Sequence, residues 1–254
     1  SDRDWSSDVC SSDLPIHLSY PDIQANTNIL TIEEEFSQKH VDPYENFNLN
    51  LLPHVPVGGR LKNFLPFWQT HIKDKFCLNV VKEGYQIQWV EKQPMLSTNV
   101  IPTKNISEPK VLQSEIQEML QKGAIEIIQY PNPGFSATFF LVPKKDGGMR
   151  PVINLKHLNK FIHTPTFKMH TPVSILKMIH KNDWLASLDL KDAYFHVPMH
   201  PEYYKFMRFQ FQEVTYQFKV LPFGLSTAPR VFTKMLAPLV GYLHQQGKIG
   251  RAHV

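Results

Sequence analysis

The sequence predicts an α+β fold, and two kinds of residue pattern carry that prediction. Segments 107–123 and 226–246 repeat apolar residues about every 3.6 positions, as helices buried on one face do. Two apolar segments, 138–142 and 149–155, flank a Lys-Lys-Asp-Gly-Gly turn that is typical of a β-hairpin. Helices together with paired antiparallel strands favour a mixed fold.

The first helix is expected to begin at Ser107 as N-cap, with Pro109 in its first turn, and to stop at Gly123. A second strand pair is expected at 205–211 and 214–220. The last helix is expected to bury one continuous apolar stripe, which consists of Val231, Phe232, Met235, Leu236, Leu239, Val240 and Leu243.

Residues 15–56 are rich in Pro and Asn and predict a linker. The region 57–106 is expected to contain a helix that Pro66 kinks or restarts. Residues 80–89 predict a turn at Gly84 and then a short strand. The apolar positions of the expected helix are Leu61, Phe64, Leu65 and Trp68.

Length and composition exclude several classes of protein. The chain has 254 residues, 42% of them apolar, which excludes disorder of the whole chain. No apolar run approaches the roughly 18–20 residues of a membrane helix, so no membrane partner is expected. Two cysteines, Cys10 and Cys77, exclude a disulfide scaffold. No secretory signal is visible, so we expect an intracellular location, with cytoplasm and nucleus both open.

Residues 1–14 and 249–254 are expected to derive from sequencing adapters. The segments DVCSSD (8–13) and IGRAHV (249–254) can be back-translated as reverse complements, codon for codon. The alternative is a Ser/Asp-rich disordered tail. Without both ends, 25 basic and 19 acidic residues remain, so the net charge rises from +4 to +6. A positive charge favours a polyanionic partner.

The segment WLASLDLKDAYFHVPM (184–199) contains the clearest candidate for chemistry. It predicts a strand that is apolar apart from Asp189 near its end. A buried or half-buried carboxylate there needs a cation, a hydrogen-bond donor or a metal as its partner. Asp192 has a simpler alternative role, because its side chain could cap the following turn.

Three blocks of the sequence resemble the fingers and palm of retroelement reverse transcriptases. The blocks are FFLVPKKDGGMRPVINLKHLN, SLDLKDAYFHVPMHPEYYKFMRF and FKVLPFGLSTAPRVF, and their order matches as well. The upstream piece beginning GGRLKNFLPFW resembles DIRS-like retrotransposons, with Gypsy-like elements as the alternative; group II intron and telomerase types are disfavoured. The resemblance implies a partial right-hand polymerase fold over 107–248, with the Asp189 strand central in an antiparallel palm sheet.

The implied activity is RNA-directed DNA polymerisation, in which a dNTP is transferred to a primer 3′ end on an RNA or DNA template. Two Mg²⁺ ions are implied as cofactors, with Asp189 catalytic and with Asp189 and Leu190 at the metal site. The family's aromatic residue at the position of Tyr194 lies under the sugar and excludes a 2′-hydroxyl. The residues implied to bind substrate are Lys144 or Lys145, Arg150, Leu190, Asp192, Ala193, Tyr194, Phe223 and Gly224.

The resemblance also implies an inactive, truncated fragment. The family's third block, an aromatic residue followed after one position by Asp-Asp, is expected just after Lys248, but no Asp or Glu follows Glu213. Thumb and ribonuclease H parts are likewise not recognised. Two alternatives stay open: a non-catalytic nucleic-acid-binding remnant, and part of a Pol polyprotein with a linked ribonuclease H. The oligomeric state is open.

Overall fold

The computed structural model describes residues 55–103, 109–129, 132–143, 148–167, 180 and 189–247, all within the compact unit His54–Val254. Its helices are α1 (Leu65–His71), α2 (Lys75–Glu83), α3 (Pro109–Gln121), α4 (Lys156–Asn159) and α5 (Ala228–Gln245). Its strands are β1 (Ile125–Ile127), β2 (Phe139–Pro143), β3 (Met149–Ile153), β4 (Arg208–Phe211) and β5 (Val214–Phe218). Three 3-10 helices lie at Arg60–Phe64, Ala193–His196 and Pro201–Phe206. The predicted α+β class is confirmed.

The described strands form two antiparallel sheets. A three-stranded sheet has the order β1-β5-β4, with Ile125 opposite Phe218 and Phe209 opposite Tyr216. A separate hairpin pairs β2 with β3 and places Val142 opposite Arg150. The predicted hairpin is therefore confirmed, while its turn at 144–147 lies outside the described residues.

Two expected strands differ from the structure. Residues 205 and 206 belong to a 3-10 helix, because Pro201 fixes the backbone at its first turn and the His200 ring accepts a hydrogen bond from the Glu202 N–H at 3.3 Å. The strand therefore begins only at Arg208. After Gly84 the chain makes isolated bridges rather than a strand, among them Tyr85 with Met199.

Several other expectations fall outside the described residues. They concern the N-cap Ser107, both expected adapter-derived ends, most of the expected linker, and the residues at 181–188 that precede Asp189. The predicted central position of the Asp189 strand therefore stays a prediction.

The N-terminal region packs into the same core as the rest of the unit. Pro66 starts a new helix: a 3-10 turn ends at Phe64 and α1 follows directly. The Asp74 side chain caps α2 by accepting a hydrogen bond from the Cys77 N–H at 2.9 Å. Burial raises the pKa of the Cys77 thiol to about 12, so this cysteine is no nucleophile at neutral pH. The buried members of this region include Trp68, Ile72, Cys77, Val80, Val81, Tyr85 and Ile87.

Aromatic stacking joins the hairpin to the larger sheet. The Phe139 ring on β2 stacks on Phe209 of β4 at a centroid distance of 4.1 Å, and Phe209 stacks on Tyr216 at 5.2 Å. Phe139 and Phe209 are fully buried, and burying a side chain of this size contributes about 1.5–3 kcal/mol. The hairpin is thereby fixed relative to β4 and β5 of the larger sheet.

The two long helices, α3 and α5, form where the apolar periodicity predicts them, but the apolar stripe of α5 is buried over a shorter length than expected. α3 ends before Gly123, whose φ of 67° only glycine adopts readily. α5 buries Ala228, Val231 and Met235, but Leu243 is 40% exposed, so the expected stripe is not buried to its end. No helix in the described part is long and apolar enough to cross a membrane.

A glycine junction connects distant parts of the chain. The Gly58 N–H donates to the Lys122 carbonyl at 2.6 Å, and the Gly59 N–H donates to the Phe195 carbonyl at 2.8 Å. A Cβ at Gly58 would collide with the backbone of Gly123. The loop thus lies against both the end of α3 and the 3-10 helix Ala193–His196.

We predict that Gly58→Ala destabilises the fold, because two backbone segments would have to separate to admit one methyl group. The expected loss is about 1–3 kcal/mol, typical of overpacking, measured by urea unfolding. Gly241→Ala is the matched control, since Gly241 lies in α5 with open space around it. The control should gain about 0.5–1 kcal/mol from helix propensity. Equal stability of the two variants would contradict the close contact.

Candidate functional site

A tight turn follows Asp189 and forms the centre of the candidate site. Asp192 has left-handed backbone angles (φ 56°, ψ 32°) and precedes the 3-10 helix Ala193–His196. Its carbonyl accepts a hydrogen bond from the Phe195 N–H at 2.8 Å. Asp tolerates this conformation better than most residues do, which explains its place here.

Asp189 differs from the expectation of a buried or half-buried carboxylate. Asp189 is exposed, and Leu190 beside it is 41% exposed. In the part of the chain that the structure describes, no hydrogen bond or ion pair engages the Asp189 carboxylate. An exposed, unengaged carboxylate needs no partner for burial and is open to bind a cation.

Asp192 is held by a lysine rather than acting as a cap. Its side chain makes no capping hydrogen bond; instead both carboxylate oxygens lie 2.9 Å from Lys122 Nζ. Lys122 also contacts Glu118 at 2.6 Å. Burial alone lowers the pKa of Lys122, but hydrogen bonds to Asp192 and Glu118 outweigh it and raise the pKa above its usual value. Lys122 is a residue that the sequence patterns did not reveal.

Backbone N–H groups in the turn are candidate donors to a ligand. Among the described residues, the N–H groups of Leu190, Lys191 and Asp192 donate to no backbone carbonyl. A left-handed residue among successive open N–H groups makes a concave surface suited to an anion. The observed turn is compatible with the predicted cradle at 190–193.

An aromatic cluster packs around Tyr194 and Phe195, which directly follow the turn. The Tyr194 ring lies 4.9 Å from Phe223 and 5.4 Å from Phe232, edge-on in the second case. Phe195 is buried and lies 5.8 Å from Phe223. The structure thus brings together Tyr194 and Phe223, which the sequence placed in two separate blocks.

The loop containing Phe223 is anchored to the end of the hairpin. Gly224 has φ 105°, and a Cβ there would collide with the Ile153 carbonyl oxygen. Asn159 donates from Nδ2 to the Gly224 carbonyl at 2.9 Å and accepts from the Ser226 N–H at 3.0 Å. Asn159 is a second residue without an assigned role in the sequence, although it lies inside the first block.

The basic candidates on the hairpin are only partly described. Lys144 and Lys145 lie outside the described residues, as does the side chain of Arg150. The Arg150 backbone lies in β3, opposite Val142. Their predicted contact with a triphosphate stays a prediction.

An open groove lies beside the hairpin. It has a volume of about 510 Å³ and is lined by residues of 95–101, 134–138 and 154–160. The segments meet where Ser97 and Gly134 exchange two backbone hydrogen bonds of 2.9 Å. Phe135 stacks on His157 at 6.0 Å. The described lining contains Lys156 and Lys160 and no Asp or Glu.

The described residues offer limited metal ligation. No group of three or more His, Cys, Asp or Glu side chains is close enough there to hold a metal ion. The carboxylate of Asp189 and the carbonyl of Leu190 are hard oxygen ligands of the kind Mg²⁺ prefers. The Mg²⁺ site expected at Asp189 and Leu190 stays a prediction.

Part of the chain is similar to a known protein family. Residues 142–251 match the family described as reverse transcriptase (RNA-dependent DNA polymerase). These 110 residues, under half of the chain, are similar to that family. The match contains the Asp189 turn, Tyr194 and the Phe223 loop, whereas Gly58 and Lys122 precede it.

Several known polyproteins are similar to part of this chain. The Gag-Pro-Pol polyprotein of squirrel monkey retrovirus is 32% identical over 142 residues, which are 52% of this chain and 7% of that protein. The transposon Tf2-3 polyprotein of Schizosaccharomyces pombe is 26% identical over 145 residues, which are 56% of this chain and 11% of that protein. The chain thus spans a small fraction of the relatives it matches. A crystal structure of prototype foamy virus protease-reverse transcriptase is 22% identical, with a TM-score of 0.46 over 73% of this chain and 24% of that one.

We predict that Asn159→Ala loosens the loop around Phe223, because it removes one hydrogen bond to each side of that loop. Each neutral hydrogen bond contributes about 0.5–1.5 kcal/mol, so the loss should be about 1–3 kcal/mol. Hydrogen exchange followed by mass spectrometry should show faster exchange at 221–227. Asn99→Ala, on the rim of the groove, is the control. Unchanged exchange at 221–227 would show that Asn159 does not hold the loop.

Proposed function

We propose that the chain is the fingers and palm portion of a retrotransposon RNA-directed DNA polymerase, which transfers a dNTP to a primer 3′ end on an RNA or DNA template. The observation that carries the proposal is the turn at 189–194. It combines an exposed carboxylate, open backbone N–H groups and a supported aromatic ring within six residues. A DIRS-like origin is favoured over a Gypsy-like one by the sequence around GGRLKNFLPFW.

Asp189 and the Leu190 carbonyl would hold Mg²⁺. When bound, the two ions of such a site activate the primer 3′ oxygen and neutralise charge on the triphosphate. The residues of this chain place an anionic oxygen where a cation can approach from solvent. Asp189 is the residue that we assign as catalytic.

The turn itself would bind the triphosphate. The N–H groups of Leu190–Ala193 supply donors at fixed positions, which cost little reorganisation when an anion arrives. Arg150 and one of Lys144 and Lys145 would add charge-assisted contacts.

Tyr194 would form the floor beneath the sugar of the incoming nucleotide. Its ring is fixed by Phe223 and Phe232, so it cannot swing away to admit a bulkier sugar. Phe223 and Gly224 would lie beside the base pair being formed. The close approach of Gly224 to Ile153 keeps that loop against the hairpin.

The groove beside the hairpin would receive the template strand. Lys156 and Lys160 supply positive charge, and the Phe135–His157 stack supplies an aromatic surface. Because the lining holds no carboxylate, it also favours the second candidate function, a nucleic-acid-binding remnant without chemistry.

We further propose that the printed chain does not extend primers by itself. Two ions about 4 Å apart need more than one carboxylate, and no Asp or Glu follows Glu213. We expect the protein to work inside the cell.

The decisive test joins residue 248 to the following segment of a related reverse transcriptase and measures primer extension on an RNA template with Mg²⁺. We predict extension by the joined chain. Asp189→Asn should lower the rate by about 10²–10³-fold or more, the scale for losing one transition-state contact. Glu213→Gln, an exposed carboxylate on the β4–β5 turn, is the matched control and should keep the rate.

An unaffected rate in the Asp189→Asn variant would overturn the catalytic assignment. If the joined chain binds template-primer yet never extends it, the nucleic-acid-binding remnant becomes the better description.

We predict that Tyr194→Val in the joined chain preserves much of the DNA synthesis and admits ribonucleotides. The ring that meets the 2′-hydroxyl is lost, so discrimination against rNTPs should fall, whereas Tyr204→Val should leave it unchanged. The measurement is the ratio of kcat/KM for dNTP and rNTP. An unchanged ratio would show that Tyr194 only packs against Phe223.

A further inference from the structure

Two aspartates of the turn have opposite surroundings. Asp189 is exposed, and no polar contact engages it among the described residues. The Asp192 side chain is only 18% exposed, and both of its oxygens lie 2.9 Å from Lys122 Nζ. Both side chains are carboxylates, and the contact with Lys122 gives Asp192 different surroundings from Asp189.

Lys122 is held at both ends. Its carbonyl accepts the 2.6 Å hydrogen bond from the Gly58 N–H, which fixes the backbone just after α3. Its ammonium lies between Asp192 and Glu118, and its side chain is only 19% exposed. Because the Lys122 backbone and side chain are already fixed, the contact with Asp192 costs little further conformational entropy.

A released Asp192 carboxylate would interfere with the proposed chemistry in two ways. Asp192 is itself a residue of the turn proposed to bind the triphosphate, so an unpaired carboxylate there would repel a triphosphate at short range. It also lies three residues from Asp189 and would compete for the same cation, since carboxylate oxygens are the preferred ligands of Mg²⁺. Because the Lys122 ammonium contacts both Asp192 carboxylate oxygens, it suppresses both the repulsion of the triphosphate and the competition for the cation.

We propose that Lys122 is a positioning residue that withholds Asp192 from metal and phosphate, leaving Asp189 as the carboxylate of this turn that binds the metal. The inference rests on the proposed function, because it concerns nucleotide and metal at that same turn. Lys122 lies before the region that matches the family.

The test uses the printed chain and two binding measurements. The first is the Kd of a dATP labelled on its base, with Mg²⁺ present, followed by fluorescence anisotropy. The second is Mn²⁺ binding without nucleotide, followed by the relaxation of water protons. We expect Lys122→Met to weaken nucleotide binding about tenfold, the scale of one charge-assisted contact, and to tighten Mn²⁺ binding several-fold. A general structural defect would weaken both.

Three variants make the result specific. Glu118→Gln removes the other carboxylate of Lys122 but keeps its contact with Asp192, so both constants should stay unchanged. Lys122→Arg retains the charge and should also bind normally. In the double variant Lys122→Met/Asp192→Asn, the tightening of Mn²⁺ should vanish and nucleotide binding should recover. Lys122→Gln serves in place of Lys122→Met if the latter does not fold, as judged by its unfolding midpoint.

The outcomes separate the inference from the proposed function. If the unaltered chain binds nucleotide and Lys122→Met binds both ligands equally well, the inference is overturned and the proposed function stands. If nucleotide binding stays weak in the double variant, the loss does not come from Asp192, and Lys122 acts on the phosphate directly. That result also overturns the inference. If the unaltered chain binds no nucleotide, the proposed function fails and this inference fails with it.

Discussion

The candidate site depends on the backbone junction at Gly58–Gly59. Two hydrogen bonds, of 2.6 and 2.8 Å, join this loop to Lys122 and to Phe195. The contact with Gly123 is so close that no side chain fits at position 58. The position of the Asp192 turn is therefore set by a loop that comes more than a hundred residues earlier in the chain. A region that lies outside the family match thus becomes part of the site's support.

A buried arginine has the same kind of role on the other side of the hairpin. Arg208 is 6% exposed, and burial lowers its pKa below the usual value. Its guanidinium donates to the Asn132 carbonyl and side chain at 2.7 Å and to Gln217 at 3.1 Å. Gln217 in turn donates to Glu126 at 2.7 Å. These bonds offset the cost of removing the guanidinium from water, and they hold the loop before Phe135 against β4.

The basic groove and the exposed Asp189 lie on different segments of the unit. The groove carries Lys156 and Lys160, while Asp189 stands exposed on its own turn. Between them, the Phe223 loop is tied to the hairpin through Asn159. The proposed template groove and the proposed nucleotide site would therefore use different side chains.

The sequence alone determined the elements whose patterns are local. The periods of α3 and α5, the glycine stop at Gly123 and the β2–β3 hairpin all follow from neighbouring residues, and so does the Asp189–Tyr194 motif. Tertiary structure decided which carboxylate is free, because Lys122 lies 70 positions from Asp192. It also decided the exposure of Leu243, the 3-10 helix in place of a strand before Arg208, and the anchoring by Asn159. These features depend on contacts between segments far apart in the chain, and no periodicity within one segment reports them.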